Sequence, residues 1–289
     1  MNGDGAGAVV VGVDGSPGAL RAVRWAAVEA ASLPAPLHIV HATVWPLISY
    51  PAPAVPAHFR SLMVAETQRW LLQAAEVAAE EAPDVEIRRA LLIGDAGVAL
   101  VEQAAEARAV VVGSRGLGGF TGLLVGSTAT VLTHHARCPV VVVRAGGDPD
   151  GPVVVGVDGS PASENALGYA FDAASRTDAP LVALHTWSDV GVGERWAPRS
   201  RLDWDAVQED QRRLLAERMA GWQEKYPEVT VRRVVARDRP VHQLCAAGRT
   251  ARLLVVGSRG RGGFSGLLLG STSRSLVHHA PCPLAVVRS

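Results

Sequence analysis

Short apolar runs alternate with longer amphipathic stretches along the chain. Residues 9–13 (VVVGV) form a continuous apolar run. A run without polar alternation indicates a strand buried on both faces of a parallel sheet. It is followed by Ser16 and Pro17, residue types that favour the N-cap and the first position of a helix. The chain therefore opens with a buried strand and a helix.

This pattern continues to the middle of the chain. Apolar runs predict further strands, which are Leu37–Thr43, 85–91, Ala109–Gly113 and Val140–Val143. Amphipathic spacing predicts helices between them, the longest over 61–82. The proline-rich segment 45–58 is predicted to be a loop, because proline removes the donor that a strand ladder needs. Strands and helices that alternate in this way require a parallel sheet with right-handed crossovers.

The pattern then restarts at Val153. Residues 113–144 align with residues 257–288 at an offset of 144 positions, and 22 of the 32 aligned residues are identical. In the second half, the five predicted strands are 153–157, Leu181–Trp187, 229–235, Leu253–Gly257 and Leu284–Val287. A long helix is predicted over 204–226 and a charged loop over 188–201. We therefore predict two domains, 1–146 and 153–289, joined by a turn-rich linker at 147–152.

Composition narrows the classes of function. Hydrophobic residues make up 48% of the chain, charged residues make up 19%, and the mean hydropathy is +0.17, which is typical of a globular protein. The apolar runs are too short to span a bilayer, and no basic region precedes the first of them. The net charge of zero gives no electrostatic argument for nucleic acid. We expect a cytoplasmic protein without a membrane or nucleic-acid partner.

A glycine-rich stretch follows the fourth strand of each domain. Its glycines are spaced identically in the two copies, at Gly113, Gly116 and Gly126 and at Gly257, Gly260 and Gly270. Glycine lets backbone amides approach phosphate oxygens, and the helix that begins at Ser127 offers the positive end of its dipole. Ligands of such sheets bind beyond the carboxyl ends of the strands, where Asp14 also lies. Each domain is therefore predicted to bind phosphate groups.

Two common phosphate-binding motifs are excluded. The Walker motif needs a lysine after its last glycine, and Lys225, the only lysine, lies far from both loops. A dinucleotide-binding fingerprint follows the first strand, whereas the stretch from Gly116 to Gly122 follows the fourth and is one residue too long. The three cysteines are too few for a disulfide framework or a zinc site, and we expect Cys138 and Cys282 to be buried. No metal site formed by the protein alone is predicted.

These motifs closely resemble the universal stress protein family, in particular its tandem two-domain members. The resemblance rests on G-x2-G-x9-G-S and VGVDGS, each present twice, on an L-x3-H strand, and on the final strand after Cys-Pro, and it covers nearly all 289 residues. It implies an α/β fold of two flavodoxin-like, doubly wound domains, each with five parallel strands and four helices, related by a pseudo-twofold axis. It also implies one ATP in each domain, accompanied by Mg²⁺.

The resemblance extends to individual residues. Asp14, Asp158, Ala42 and Thr186 are expected at the adenosine end, and the glycine-rich loops are expected to hold ribose and phosphates. The candidate ATP-binding residues are Gly12, Asp14, Ala42, Gly113, Ser114, Arg115, Gly116, Leu117, Gly118, Gly119, Gly126, Ser127 and Thr128 in the first domain, and Gly156, Asp158, Thr186, Gly257, Ser258, Arg259, Gly260, Arg261, Gly262, Gly263, Gly270, Ser271 and Thr272 in the second. The final strands serve dimerisation in the family, so an internal domain pair and a homodimer are expected.

Three hypotheses about function remain open. The leading one is an ATP-binding regulator of the stress response with little or no catalytic turnover. The alternative is a slow ATP hydrolase or phosphotransfer enzyme, in which Asp14 and Asp158 would hold Mg²⁺, but the sequence offers no positioned base and no catalytic residue is assigned. The third is a scaffold that has lost nucleotide binding. Because Arg261 replaces Leu117 in the second loop, we also predict tighter triphosphate binding there.

Overall fold

A computed structural model describes residues 7–44, 57–117, 125–187, 204–237, 239–261 and 268–288. The chain divides into two compact units, Met1–Ala145 and Gly146–Ser289. Within the described residues, each unit has five parallel strands and four α-helices that alternate along the chain. The predicted flavodoxin-like, doubly wound fold is therefore confirmed for each unit.

The first unit has β1 at the centre of its five strands. Its elements are β1 (Val9–Gly12), α1 (Pro17–Ser32), β2 (Leu37–Thr43), α2 (Ala57–Glu81), β3 (Ile87–Ile93), α3 (Ala96–Gln103), β4 (Ala109–Gly113), α4 (Ser127–His135) and β5 (Val140–Val143). The strand order is β3-β2-β1-β4-β5. From β1 the chain adds β2 and β3 on one side of the sheet and then β4 and β5 on the other side. Sheets of this kind bind ligands where the order reverses, and here that crevice is flanked by the carboxyl ends of β1 and β4.

The second unit repeats this arrangement. Its elements are β6 (Val153–Val157), α5 (Pro161–Arg176), β7 (Leu181–Trp187), α6 (Trp204–Lys225), β8 (Val231–Arg237), α7 (Pro240–Gly248), β9 (Leu253–Gly257), α8 (Ser271–His279) and β10 (Leu284–Val287). The strand order is β8-β7-β6-β9-β10, so β6 and β9 correspond to β1 and β4.

The first strand and helix form as the apolar pattern and the capping residues predict. Val9, Val10 and Val11 of β1 are each 0% exposed, as expected for a strand covered on both faces. Ser16 Oγ accepts a hydrogen bond from the backbone N–H of Ala19 at 3.1 Å and caps α1. The same cap recurs in the second unit, where Ser160 begins α5.

Helix α2 differs from its predicted bounds at both ends, and helix α6 differs only at its end. Helix α2 begins at Ala57 rather than at residue 61, so the loop prediction was wrong at residues 57 and 58. The rest of that loop, 45–56, and the predicted loop 188–201 lie outside the described residues. Helix α6 ends at Lys225, one residue before its predicted end.

The two edge strands are displaced by two residues from their predicted positions. Pairing with β2 extends β3 from Ile87 to Ile93, and β8 likewise extends from Val231 to Arg237. An edge strand has partly exposed side chains, and its apolar pattern therefore marks its ends weakly. Helix α3 begins at Ala96, directly after its N-cap Asp95.

The segment 147–152 lies within the second unit and is bonded to its body. The backbone N–H of Asp148 donates to the carbonyl oxygen of Ala251 at 3.1 Å. The linker and the exact domain boundaries stay predictions. Cys138 and Cys282 are buried as expected. Among the described residues, no helix is both long enough and apolar enough to cross a membrane.

Candidate functional site

A cavity of about 480 Å³ lies at the carboxyl ends of β1 and β4 in the first unit. The structure brings most of the predicted residues of this unit together around it, namely Gly12, Asp14, Ala42, Gly113, Arg115, Gly116, Gly126, Ser127 and Thr128. Ser114 and Leu117 do not line the cavity, although both belong to the same loop. Gly118 and Gly119, like Gly262 and Gly263 in the second unit, lie outside the described residues.

The apolar residues that line this cavity were not predicted from the sequence. The additional lining residues are Val13, Ala19, Val40, Ala96, Leu100, Val112, Val125 and Ala129. A Cβ at Gly12 would lie 2.7 Å from Cδ1 of Leu100, so glycine at this position lets α3 close over the end of β1. The helical spacing of α3 was the available signal for Leu100, since it places this residue on the side that faces the sheet. The cavity is therefore lined by apolar side chains as well as by the glycine-rich loop and the first turn of α4.

Asp14 connects the first strand to the glycine-rich loop. Its Oδ1 accepts a hydrogen bond from the backbone N–H of Ser16 at 3.0 Å, and its Oδ2 accepts one from the backbone N–H of Leu117 at 2.8 Å. A charged acceptor strengthens both bonds. The carboxylate thereby holds the β1–α1 turn and the start of the loop together.

The second unit repeats the connection and adds a hydroxyl group. Asp158 accepts from the backbone N–H groups of Ser160 and Arg261 at 3.0 and 3.1 Å. Ser160 Oγ also lies 2.7 Å from Oδ1 of Asp158 and 3.0 Å from the carbonyl oxygen of Arg259. The second connection therefore involves more polar contacts than the first.

The glycines of the loop serve two different purposes. A Cβ at Gly116 would overlap Oδ2 of Asp14, and a Cβ at Gly113 would lie 2.8 Å from the backbone carbon of Gly18. Those two positions accept no side chain without displacement of their neighbours. At Gly126, by contrast, the nearest atom to such a Cβ is 3.9 Å away. Packing thus requires Gly113 and Gly116, whereas Gly126 leaves open space at the start of α4.

The fourth helix begins without a side-chain cap. Helices α1 and α3 are capped by Ser16 and Asp95, but Gly126 has no side chain to offer to α4, and Gly270 none to α8. The N–H of Gly126 donates to the carbonyl oxygen of Ser114 at 2.9 Å and thereby fixes the end of the loop. The uncapped first turn of α4 lines the cavity and presents the positive end of the helix dipole to it.

The histidines of the second strands make structural contacts. His41 donates from Nδ1 to the carbonyl oxygen of Val13 at 2.7 Å, and its ring lies edge-on to Trp70. His185 donates to the carbonyl oxygen of Val157 at 2.6 Å, and its Nε2 lies 3.0 Å from Oε1 of Gln211. Across the part of the chain that the structure describes, no three His, Cys, Asp or Glu side chains form a group that could hold a metal ion.

The chain is similar to universal stress proteins over nearly its whole length. The model of the Universal stress protein family matches residues 6–144 and 151–288. A universal stress protein of Mycolicibacterium smegmatis is 42% identical over 287 residues, which cover 97% of this chain and 96% of that protein. One from Mycobacterium tuberculosis is 40% identical over 299 residues, with the same two coverages.

A solved structure has the same fold. The crystal structure of a universal stress protein from Archaeoglobus fulgidus superimposes with a TM-score of 0.69 at 19% sequence identity, covering 97% of this chain and 98% of that one. The two matches of the family model correspond to the two units, each with its own glycine-rich loop. This chain therefore belongs to the universal stress protein family, with the family's domain present twice in tandem.

Proposed function

We propose that each unit binds ATP and that the protein is a nucleotide-dependent regulator of the stress response, with little or no catalytic turnover. One observation carries this proposal. The cavity at the ends of β1 and β4 is lined both by apolar side chains and by the uncapped N-terminus of α4. An aromatic base with a polyphosphate needs these two environments side by side.

The dimensions and chemistry of the cavity fit a nucleotide. A volume of about 480 Å³ lies within the range of small-molecule sites. Ala42 and Leu100 are among the apolar residues that line the cavity, and apolar contacts suit the base. Ser127, Thr128 and Arg115 supply hydroxyl groups, first-turn amides and a guanidinium group, which suit phosphate oxygens.

Repetition of the loop supports a second ATP site. Gly257 and Gly260 are as constrained by their neighbours as Gly113 and Gly116: a Cβ at Gly257 would lie 2.7 Å from the backbone carbon of Ala162. Helix α8 begins after Gly270 without a side-chain cap, as α4 does after Gly126. The features that support binding in the first unit are therefore present in the second.

The contacts of the aspartates favour binding over turnover. Both oxygens of the Asp14 carboxylate accept hydrogen bonds from backbone N–H groups of the turn and the loop. That arrangement suits a residue that positions the loop, whereas the hydrolase alternative needs this group for Mg²⁺. ATP would bring Mg²⁺ on its phosphates, and this chain's residues would bind and orient the nucleotide. The cytoplasmic location and the homodimer remain predictions.

ATP binding to the folded state stabilises that state by mass action. If ATP contacts two conformations unequally, its binding also shifts the balance between them. We therefore place the regulatory signal in the occupancy of the two sites.

The test combines released nucleotide with stoichiometry. Freshly purified protein is denatured, the released small molecules are separated by chromatography, and ATP binding to nucleotide-free protein is measured by calorimetry. We expect two ATP molecules per chain, one in Gly116→Glu or Gly260→Glu, and none in the double variant. Gly221→Glu is the control, because a Cβ at Gly221 meets no atom within 4 Å. No bound ATP under any condition would overturn the proposal, as would ADP formed over many turnovers.

A further inference from the structure

Two guanidinium groups lie against the β6–α5 turn of the second unit. A Cβ at Gly159 would lie 2.5 Å from Cζ and 2.7 Å from Nη2 of Arg218, and it would be nearer still to Nη2 of Arg261. Both groups thus occupy the space beside one glycine, and they lie side by side. Arg218 comes from α6, whereas Arg261 comes from the glycine-rich loop.

The first unit has no counterpart of this arginine pair. At the offset of 144 positions that relates the units, Ala74 and Leu117 stand in place of Arg218 and Arg261. The space beside Gly15 is instead filled by the indole ring of Trp70, whose Cε2 would lie 2.5 Å from a Cβ there. The equivalent turn is therefore covered by an apolar ring in one unit and by two cations in the other.

Arg218 has a hydrogen-bond donor that its described neighbours leave unpaired. Arg218 donates from Nη1 to Oε1 of Glu164 at 2.9 Å. Its Nε is buried and has no hydrogen-bond partner among the described residues. A buried donor without an acceptor is costly, and Nε with Nη2 is the edge of a guanidinium group that binds an oxyanion in bidentate fashion. The edge of Arg218 that suits an oxyanion therefore has an unused donor.

The half of the chain that contains this loop also carries a net positive charge. Residues 151–289 carry 18 Lys and Arg against 14 Asp and Glu, whereas residues 1–150 carry 10 against 14. Burial, and then the positive charge of Arg259, lower the pKa of Arg288 at the end of β10. A negative group at this loop gains from the local excess of positive charge.

We propose that Arg218 and Arg261 form an oxyanion subsite, specific to the second unit, that receives a phosphate group. The phosphate is either the terminal group of a nucleotide bound in this unit or free inorganic phosphate. The nucleotide case rests on the proposed function. In that case the second unit distinguishes ATP from AMP more strongly than the first, because its additional contacts are made only with the distal phosphate.

The experiment uses the full chain with Gly116→Glu, so that ATP binding is measured in the second unit alone. On this background, the residues of the subsite are changed to those at the equivalent positions of the first unit. Arg261→Leu is the main variant, because Arg261 is exposed and its replacement leaves the core intact. Arg218→Ala and Arg218→Lys test the bidentate geometry of the guanidinium group, because the lysine variant keeps the positive charge and loses that geometry. Arg212→Leu, on the exposed face of α6, controls for loss of a positive charge. ATP and AMP affinities are measured by calorimetry, and binding of inorganic phosphate alone is measured by ³¹P line broadening.

For a nucleotide phosphate, we expect Arg261→Leu to weaken ATP binding about tenfold and AMP binding less than about twofold, as loss of a charged hydrogen bond predicts. Arg218→Ala has the same effect, Arg218→Lys a smaller one, and Arg212→Leu none. For inorganic phosphate, the line broadening disappears in Arg261→Leu while the ratio of ATP to AMP affinity stays constant.

The outcomes separate this subsite from the proposed ATP sites. If no unit binds ATP but phosphate broadening depends on Arg261, the subsite stands and the proposed function fails. If ATP binds normally, and neither the ATP-to-AMP ratio nor the phosphate broadening responds to Arg261→Leu, the subsite is overturned and the ATP sites stand. Equal weakening of ATP and AMP also overturns it, because it indicates an effect on the whole loop.

Discussion

The carboxylate of Asp14 accepts a hydrogen bond from the backbone N–H of Leu117, 2.8 Å away and 103 positions later in the chain. This bond joins the turn after β1 to the glycine-rich loop after β4. The same relationship connects Asp158 to Arg261 in the second unit. Each loop is therefore held at its first turn by its own sheet, and a ligand that binds there need not order this part of the loop.

Replacement of the carboxylate should release the loop. In Asp14→Ala, we expect hydrogen exchange of the loop amides at 115–117 to become about tenfold faster, because hydrogen bonds to charged groups contribute about 1.5–3 kcal/mol when well shielded and less at this partly exposed site. ATP affinity of the first unit should fall by a similar factor. Hydrogen exchange is measured by mass spectrometry. ATP affinity is measured by calorimetry on the Gly260→Glu background, in which only the first unit binds.

Asp95→Ala is the matched control for this loop. Asp95 accepts a hydrogen bond from the backbone N–H of Val98 at 3.1 Å and caps α3, so its loss also removes a capping carboxylate. It does not contact the loop through that bond. If Asp95→Ala speeds exchange at 115–117 as much as Asp14→Ala does, the bond between Asp14 and Leu117 is not what holds the loop.

The two kinds of loop glycine predict different defects. Alanine at Gly116 would overlap the Asp14 carboxylate, so Gly116→Ala should lower both the stability of the first unit and its ATP affinity. Alanine at Gly126 has 3.9 Å of clearance and a backbone conformation that any residue adopts, so it should leave stability nearly unchanged. Its methyl group would still obstruct the start of α4 and weaken ATP binding. Thermal unfolding and calorimetry on both variants test this, and an equal loss of stability would contradict it.

The sequence was informative wherever structure depends on local pattern. Buried strands such as β1 and β5 have apolar residues on both faces, and Ser16 with Pro17 marks the start of a helix through contacts within one turn. The spacing of the glycines is likewise a local feature, because it reflects the backbone of one short loop. Those features predicted the fold and most of the residues that line the cavity.

Contacts between distant residues were not predictable in the same way. The apolar wall at Leu100 depends on how closely α3 approaches Gly12, which follows from packing rather than from a motif. Similarly, the position of Arg218 beside Gly159 depends on side-chain packing across 59 residues of chain. At the sheet edge, the predicted position of β3 was wrong by two residues, because half-exposed residues carry a weak apolar pattern.

The cysteines should react at very different rates. Burial raises the pKa of the Cys138 thiol to about 11, so at pH 8 about one molecule in a thousand carries its thiolate. Cys282 is also buried, whereas Cys245 is partly exposed. We expect one thiol to react rapidly with a chromogenic disulfide in the native protein and three in urea. Cys245→Ser should abolish the rapid phase and Cys138→Ser should leave it; a rapid phase that survives Cys245→Ser would contradict this assignment.

The helix caps of the two units should differ in strength. Ser16 and Ser160 each cap a helix, but only Ser160 Oγ also lies near the carboxylate of Asp158 and the carbonyl oxygen of Arg259. We expect Ser16→Ala to destabilise its unit by about 1 kcal/mol, the usual value of a cap, and Ser160→Ala by about 2–3 kcal/mol, because a buried polar network is lost with it. Urea unfolding followed by hydrogen exchange in peptides of each unit measures both values. Ser32→Ala, which removes a bond to the carbonyl oxygen of Glu29 in the last turn of α1, should cost less than about 0.5 kcal/mol. Equal losses at Ser16 and Ser160 would show that the additional contacts of Ser160 do not stabilise the second unit.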